Sequence, residues 1–236
     1  MDVRWAGASI DRTRMFAKEL VELRPDVILG EATPATDALH RETRTIPIVF
    51  AAVSDPVGAG FVAGLPRPGG NITGFLFTEA SLAGKYLELL TEIASGIKRV
   101  AIMFNPDTAP GGGSYFLPAF EAAARSFKVE PITAPVHSDA EIEAVIASLG
   151  REPGGGLVVP GDIFPIVHRE RIILLATRKN IPAVFQQSLF VRDGGLLSYG
   201  PDVTDIYFIA QRPMSTAFSV AQIRRTCRFN YQSNSR

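Results

Sequence analysis

Short apolar runs alternate with amphipathic segments along most of the chain. Six runs rich in Val, Ile and Phe have the length and composition of strands: Val27–Leu29, Ile48–Phe50, Val100–Phe104, Val129–Thr133, Leu157–Val159 and Pro182–Phe185. Near-continuous apolar runs of this kind are typical of strands buried on both faces of a parallel sheet. The alternation therefore predicts an α/β protein built from repeated β-α units with right-handed crossovers.

Three of the intervening segments have helix ends that the sequence marks. Residues 11–23 form an amphipathic pattern that Pro25 stops, and Ser138-Asp-Ala-Glu141 is a capping box that opens a helix. Residues 81–94 form a third helical pattern, which ends before Gly96. The apolar face of the predicted helix consists of Leu82, Tyr86, Leu89, Leu90 and Ile93.

The alternation is interrupted once, by Leu65-Pro-Arg-Pro-Gly-Gly-Asn71. Two prolines and two glycines cannot continue a helix or a central strand. A short strand pattern, Ile72–Phe75, follows this run. The interruption divides the chain into a front set and a longer back set of β-α units, as two lobes joined by crossing strands would require.

The run Gly58-Ala-Gly60-Phe-Val-Ala63 has the letters of a dinucleotide-binding loop, G-x-G-x-x-A, with the acidic Glu79 about 20 residues further on. In such a loop the first glycine lies at the strand end and a full helix follows. Here residues 52–57 intervene, and Pro66 stops the helix early. An NAD-dependent or other small-molecule enzyme on a doubly wound sheet is therefore the alternative prediction, and close helix packing is the favoured role of the glycines.

Asp55-Pro56 and Thr33-Pro34 each follow a predicted strand and have the form of a helix N-cap with proline at the first helical position. The carboxyl ends of parallel strands share one edge of a sheet, where open α/β sheets bind ligands. Free N–H groups at such helix starts favour an anionic group, for example a carboxylate. The two caps could equally serve only to end loops.

Charge and composition exclude several classes of function. Lys+Arg 24 equals Asp+Glu 24, so the net charge attracts neither nucleic acid nor an anionic membrane. No apolar run approaches the ~20 residues of a membrane-spanning helix. The single cysteine, Cys227, and three scattered histidines provide no disulfide, metal set or nucleophile–base pair. We expect a protein without catalytic activity, cofactor or metal.

Three stretches of the chain resemble one bacterial family. They are IPIVFAAVSDPVGAGFVAGLPRPGGNITGF at residues 46–75, LAGKYLELLTEIASGIKRVAIMFNPD at residues 82–107 and GGLLSYGPDVTDIY at residues 194–207. They resemble the substrate-binding proteins of ABC transporters of the tryptophan/tyrosine type, which have the periplasmic-binding-protein type I fold. The resemblance runs from Val3 to Tyr207.

The resemblance implies two Rossmann-like lobes with parallel sheets, joined by a hinge. The front lobe would hold residues 1–77, incomplete, with residues 200–236 returning to it, and the back lobe would hold residues 78–199. Asn71–Phe77 and Leu196–Pro201 would be hinge crossings, where proline and glycine combine restricted and permissive backbone.

The resemblance also implies a function. The protein would be the solute-binding component of an ABC transporter, capturing a small amino-acid-like or organic ligand between its lobes and delivering it to the permease subunits. This places it in the periplasm by family resemblance, although the chain shows no signal peptide. We expect a monomer with a small-molecule ligand, no cofactor, no nucleic-acid partner and no membrane span.

In this fold the ligand contacts come from loops at the strand ends. These positions are Ala32, Thr33, Ser54 and Asp55 in the front lobe, and Asn105, Gly161, Asp162, Gln187 and Ser188 in the back lobe. The front-lobe hydroxyls and N–H groups would hold a ligand carboxylate. Asp162 would take a ligand amine by a charge-assisted hydrogen bond, or would cap the helix after it. Phe164 or Phe190 could stack on an aromatic ligand, although core packing is the commoner role.

The chain departs from the family pattern at both ends. It begins at what would be the second strand, Asp2–Trp5, so we expect either a fragment or a misassigned start codon. After Tyr207 the family pattern is lost, and residues 208–236 contain five arginines but no Asp, Glu or Lys. We expect a shifted reading frame or a truncation there; the alternatives are a solvated tail and contact with nucleic acid or membrane.

Overall fold

The computed structural model describes residues 2–201 and 226–230, and the chain divides into two compact units. The first unit comprises Met1–Thr78 with Asp202–Arg236, and the second comprises Glu79–Pro201. Each unit contains one five-stranded sheet in which neighbouring strands are parallel. The prediction of an α/β fold with parallel sheets is confirmed.

The first unit packs its described helices on one face of its sheet. Its elements are β1 (Asp2–Trp5), α1 (Ile10–Glu22), β2 (Val27–Glu31), α2 (Ala32–Glu42), β3 (Ile48–Val53), β4 (Ile72–Leu76) and β10 (Thr226–Asn230). The strand order is β1-β10-β2-β3-β4. Helices α1 and α2 lie side by side and bury Ile28, Ile48 and Phe50 of the sheet beneath them.

The second unit has helices on both faces of its sheet. Its strands are β5 (Arg99–Phe104), β6 (Glu130–Pro135), β7 (Gly155–Val159), β8 (Ala183–Phe185) and β9 (Leu197–Ser198). Its helices are α3 (Leu82–Ile93), α4 (Leu117–Phe127), α5 (Asp139–Leu149), α6 (Ile163–Val167), α7 (Arg169–Arg178) and α8 (Ser188–Arg192). The strand order is β6-β5-β7-β8-β9.

The central strands of the second unit are buried on both faces, as their continuous apolar runs predict. Every residue of β5 from Val100 to Phe104 is buried, although successive side chains of a strand point to opposite faces. Val100 and Ile102 pack with α3 and α4, and α5, which packs against α7, contacts β5 and β7. The parallel sheet therefore excludes water from both of its faces.

The buried face of helix α3 overlaps the predicted one but is rotated away from Ile93. Tyr86 and Leu90 are buried as predicted, but Ile93 is 47% exposed and the remaining buried positions are Ala83 and Leu87. The small residues allow this rotation, because Gly84 approaches Ala123 of α4 so closely that a Cβ on Gly84 would lie 3.3 Å from the Ala123 Cβ. The apolar stripe alone did not reveal this close helix–helix contact.

The helix cap at Ser138 is confirmed in a modified form. The Ser138 hydroxyl accepts the Glu141 N–H at 3.3 Å, which is one half of the predicted capping box. The Glu141 carboxylate accepts the N–H of His137 at 2.5 Å, one residue before the expected partner. Because Glu141 gains this bond, the pKa of its carboxyl is lowered.

The expectation of an altered C-terminal sequence concerns residues 208–236, most of which lie outside the described residues. Within that stretch, Thr226–Asn230 forms β10, which pairs in parallel with β1 and with β2. A regular strand inside a sheet counts against unselected sequence for these five positions.

Gly74 allows β3 and β4 to approach each other. It pairs with Phe50, and a Cβ on Gly74 would lie 2.1 Å from the Phe50 carbonyl oxygen and 2.5 Å from its Cγ. This glycine belongs to the R-P-G-G-N-I-T-G stretch, so the structure supplies a steric reason for one residue of that motif.

We expect Gly74→Ala to lower the free energy of unfolding by about 1–3 kcal/mol, because the added methyl overpacks a strand contact that includes backbone. Gly70→Ala is the matched control, since nothing lies within 4 Å of a Cβ at Gly70. Urea unfolding followed by the fluorescence of the single tryptophan, Trp5 in β1, measures both. Equal stability of the two variants would contradict the steric explanation.

Candidate functional site

The strand order of the second unit reverses between β5 and β7, which is the topological switch point of its sheet. In the order β6-β5-β7-β8-β9, the chain leaves β5 toward one side of the sheet and returns to β7 on the other. The loops after β5 and β7 therefore diverge at the carboxyl edge, which is where open α/β sheets bind ligands. Asn105 follows β5 directly. Gly161 and Asp162 come after β7, separated from it by one proline.

The carboxylate of Asp162 joins these two loops. Its Oδ2 accepts the N–H of Asn105 at 2.6 Å, and its Oδ1 accepts the hydroxyl of Thr108 at 2.5 Å. The same Oδ1 accepts the N–H of Phe164 at 3.2 Å, so Asp162 is the N-cap of α6. The alternative role of Asp162, as a helix cap, is therefore observed, and the three donors already occupy most of its acceptor positions.

Burial makes Asp162 an unusual carboxyl group. The residue is 3% exposed, and removal from water raises the pKa of its carboxyl from the usual 3.8 to about 6. The hydrogen bonds from Asn105, Thr108 and Phe164 act in the opposite direction, because they stabilise the ionised form. Desolvation outweighs them, so the pKa of Asp162 lies above that of an ordinary aspartate.

A second side chain, Gln186, extends this network to the next strand. Gln186 follows β8 directly, and its Oε1 accepts the N–H of Gly161 at 2.5 Å. The predicted residues Asn105, Gly161 and Asp162 are thus brought together, with Thr108 and Gln186 added. The sequence analysis predicted neither Thr108 nor Gln186. Thr108 belongs to no recognisable motif, and the Gln186-Gln187 pair does not indicate which of the two amides is buried.

The remaining predicted residues of the second unit lie beside this network. Gln187 is half-buried at the N-cap of the five-residue α8, and Ser188 is exposed in its first turn. Phe190 is 2% exposed and stacks on Phe185 with 4.4 Å between ring centroids, and Phe164 stacks on His168 at 4.2 Å. Both phenylalanines therefore pack within the protein.

The four predicted residues of the first unit occupy one edge of its sheet. Ala32 and Thr33 follow β2, Ser54 and Asp55 follow β3, and these strands are paired in parallel. Two alanines at this edge, Ala32 and Ala52, have positive φ angles of 64° and 58°. Left-handed backbone costs a non-glycine residue about 1–2 kcal/mol, and such strain concentrates at functional sites.

Both predicted helix starts in the first unit are wrong in detail. Helix α2 begins at Ala32, with Glu31 as an N-cap that makes no side-chain cap bond, so Thr33 lies inside the helix. The Asp55 Oδ1 accepts the Gly58 N–H at 2.8 Å, as an N-cap would, but the chain forms only a turn there and no helix follows. The glycine pattern that begins at Gly58 therefore lacks the helix that a dinucleotide-binding loop needs.

The described residues provide neither a metal site nor a membrane-spanning helix. No group of three His, Cys, Asp or Glu side chains among them could hold a metal ion. None of their helices combines the length and apolar character needed to cross a bilayer. A surface cavity of about 400 Å³ lies at the amino-terminal end of β8, but no charged side chain lines it, so it offers no partner to a charged ligand.

We expect Asp162 to make stability depend on pH. Its folded-state pKa of about 6 exceeds the usual 3.8, so the folded protein holds this proton more tightly than the unfolded chain. The contribution of Asp162 to the free energy of unfolding is therefore highest below about pH 4 and falls by about 3 kcal/mol as the pH rises through 6.

Urea unfolding at pH 4, 5, 6 and 7 tests this expectation with the variant Asp162→Asn, which cannot titrate. The stability of the wild type minus that of the variant should fall by about 2–3 kcal/mol across this range. Asp107→Asn, an exposed carboxylate in the same loop, should keep the wild-type profile. A difference that is constant with pH would show that Asp162 is ionised throughout.

Comparison with known proteins identifies the family of this chain. The family model described as ABC transporter substrate binding protein matches residues 1–214, which extends past Tyr207. A tyrosine-binding protein of Clostridioides difficile (strain R20291) is 26% identical over 202 residues, covering 86% of this chain. The chain spans 57% of the length of that curated relative.

Two solved structures are similar over 95% of this chain and 75% of their own. One is a conserved domain protein from Vibrio cholerae O1 biovar eltor strain N16961, with a TM-score of 0.79 and 25% identity. The other is an ABC domain in complex with L-Trp from Streptococcus pneumonia, with a TM-score of 0.81 and 22% identity. With a family model that covers most of its length, this chain belongs to the ABC transporter substrate binding proteins.

Proposed function

We propose that this protein is the solute-binding component of an ABC transporter and that its ligand is an amino acid or a similar small organic molecule. Family membership supports the class of function. The observation that carries the ligand site is the Asp162 carboxylate, which holds together the loops after β5 and β7 where the strand order reverses. A buried polar network of this kind fixes the loop backbone before a ligand arrives.

The two units contribute different chemistry in this proposal. At the edge of the first unit, Thr33, Ser54 and nearby N–H groups hold the ligand carboxylate, and the strained backbone at Ala32 and Ala52 supports a functional role for this edge. At the edge of the second unit, Asp162 acts chiefly by positioning Asn105 and Gly161. A ligand amine at Asp162 would compete with the three donors that its oxygens already accept.

An aromatic amino acid is the first ligand to test. The relative from Clostridioides difficile is named for tyrosine, and one similar structure contains L-Trp. The partners in this proposal are the permease subunits of the transporter, and the place of action is the periplasm or the cell exterior. The chain itself carries no catalytic activity in this proposal, and it works as a monomer without a cofactor.

We expect L-tyrosine or L-tryptophan to raise the melting temperature of the 236-residue chain, because a ligand that binds only the folded state adds RT ln(1 + [L]/Kd) to stability. At a hundredfold excess over Kd the gain is about 2.7 kcal/mol. Differential scanning fluorimetry with twenty amino acids and NAD, followed by calorimetric titration of each hit, measures it. Stabilisation by NAD alone would contradict the proposal and favour the enzyme alternative.

We expect Thr33→Val and Ser54→Ala each to weaken amino-acid binding about 2- to 10-fold, because each removes one hydroxyl that donates to the ligand carboxylate. Thr45→Val is the matched control: Thr45 is exposed and precedes β3, at the opposite edge of the same sheet. Calorimetric titration gives the three Kd values. Unchanged affinity in both variants would show that these two hydroxyls of the first unit do not contact the ligand carboxylate.

A further inference from the structure

The amide of Gln186 has a fixed orientation. The N–H of Gly161 points at one branch of this amide at 2.5 Å. A backbone N–H can only donate, so the branch that faces it must be the oxygen, Oε1. The nitrogen, Nε2, therefore points the other way, and the usual ambiguity between the O and N atoms of an amide does not arise here.

Nε2 of Gln186 is a buried donor without an acceptor in the described part of the chain. The residue is 2% exposed, so bulk water does not compensate it. Folded proteins leave very few buried polar groups unpaired, and those that remain require an explanation. An acceptor outside the described protein atoms would complete this group, and an ordered water and a bound molecule can each supply one.

The position of Gln186 favours a bound molecule. Gln186 follows β8, contacts Gly161 after β7, and packs against Gly200 after β9. A Cβ on Gly200 would lie 2.4 Å from the Gln186 carbonyl oxygen and 3.0 Å from its Cγ. Three neighbouring strand ends thus converge on this one side chain, at the edge where doubly wound sheets bind ligands.

We propose that Nε2 of Gln186 donates a hydrogen bond to an acceptor oxygen of the bound amino acid and so helps to determine specificity. This inference rests on the proposed function. An amide nitrogen donates and cannot accept, so it pairs with an oxygen acceptor of the ligand and rejects an ammonium group at the same position. Through Gly161, the same amide links ligand contact to the loop that carries Asp162.

Two substitutions separate this role from a merely structural one. Gln186→Glu keeps an oxygen for the Gly161 N–H but replaces the donor with a second acceptor. Gln186→Met has a similar length and removes both functions. Asn180→Asp is the matched control, because it makes the same amide-to-carboxylate change at an exposed position near the amino-terminal end of β8.

Titration calorimetry with L-tyrosine and L-tryptophan at pH 8 measures the outcome. If Nε2 donates to the ligand, Gln186→Glu and Gln186→Met both weaken binding about tenfold or more, and Asn180→Asp stays within about twofold of the wild type. The inference would be overturned if Gln186→Glu bound the amino acids as tightly as the wild type and only Gln186→Met were impaired. In that case binding would depend only on the oxygen that accepts the Gly161 N–H.

Two further results keep the inference distinct from the function on which it rests. If the wild type binds no amino acid, the ligand class of the proposed function fails together with this inference. If the wild type binds and both Gln186 variants bind equally well, only this inference fails. Should a variant not fold, a crystal structure of the wild type with its amino acid decides. A ligand oxygen within about 3.2 Å of Nε2 supports the contact, and a water there overturns it.

Discussion

A carboxylate removed from water must be surrounded by donors, and the second unit is organised around that requirement. Asp162 obtains its donors from Asn105 and Thr108 after β5 and from Phe164 in α6, so neutralising one buried charge fixes the relative positions of two loops. Gln186 carries the same constraint to the end of β8 through Gly161. The geometry of the ligand edge thus follows from satisfying polar groups in a place without solvent.

The burial of Asp162 lowers the stability of the folded protein, and a role in positioning a binding site explains why such a residue is present. The raised pKa of Asp162 means that its ionised form is less stable in the folded protein than in water, despite its hydrogen bonds. Hydrophobic residues at this position would avoid that cost but would leave Asn105 and Thr108 without a common partner. The strained alanines at the edge of the first unit, Ala32 and Ala52, show a similar exchange of stability for backbone position.

Much of the framework was predictable because it depends on local pattern. Each predicted strand exists, and the continuous apolar runs of β5 and β7 are buried in a sheet covered on both faces. The edge strand β6 also forms, although most of its residues are exposed. Asp55-Pro56 has the letters of a helix start, yet the chain makes only a turn there. Helix α3 rotates toward Ala83 because the small residues along it allow α4 to approach, which no single-helix pattern contains.

The sequence by itself determined the alternation of strands and helices, the parallel sheets, and the polar residues that follow the strands, because each of these depends on neighbours within a few positions along the chain. Only the tertiary structure decided how those residues act. Asn105 and Asp162 are 57 positions apart, and Gly161 and Gln186 are 25 apart. Which of the two adjacent amides at the end of β8 turns inward depends on strand packing, because hydrogen bonds across such separations exist only after the sheet has formed.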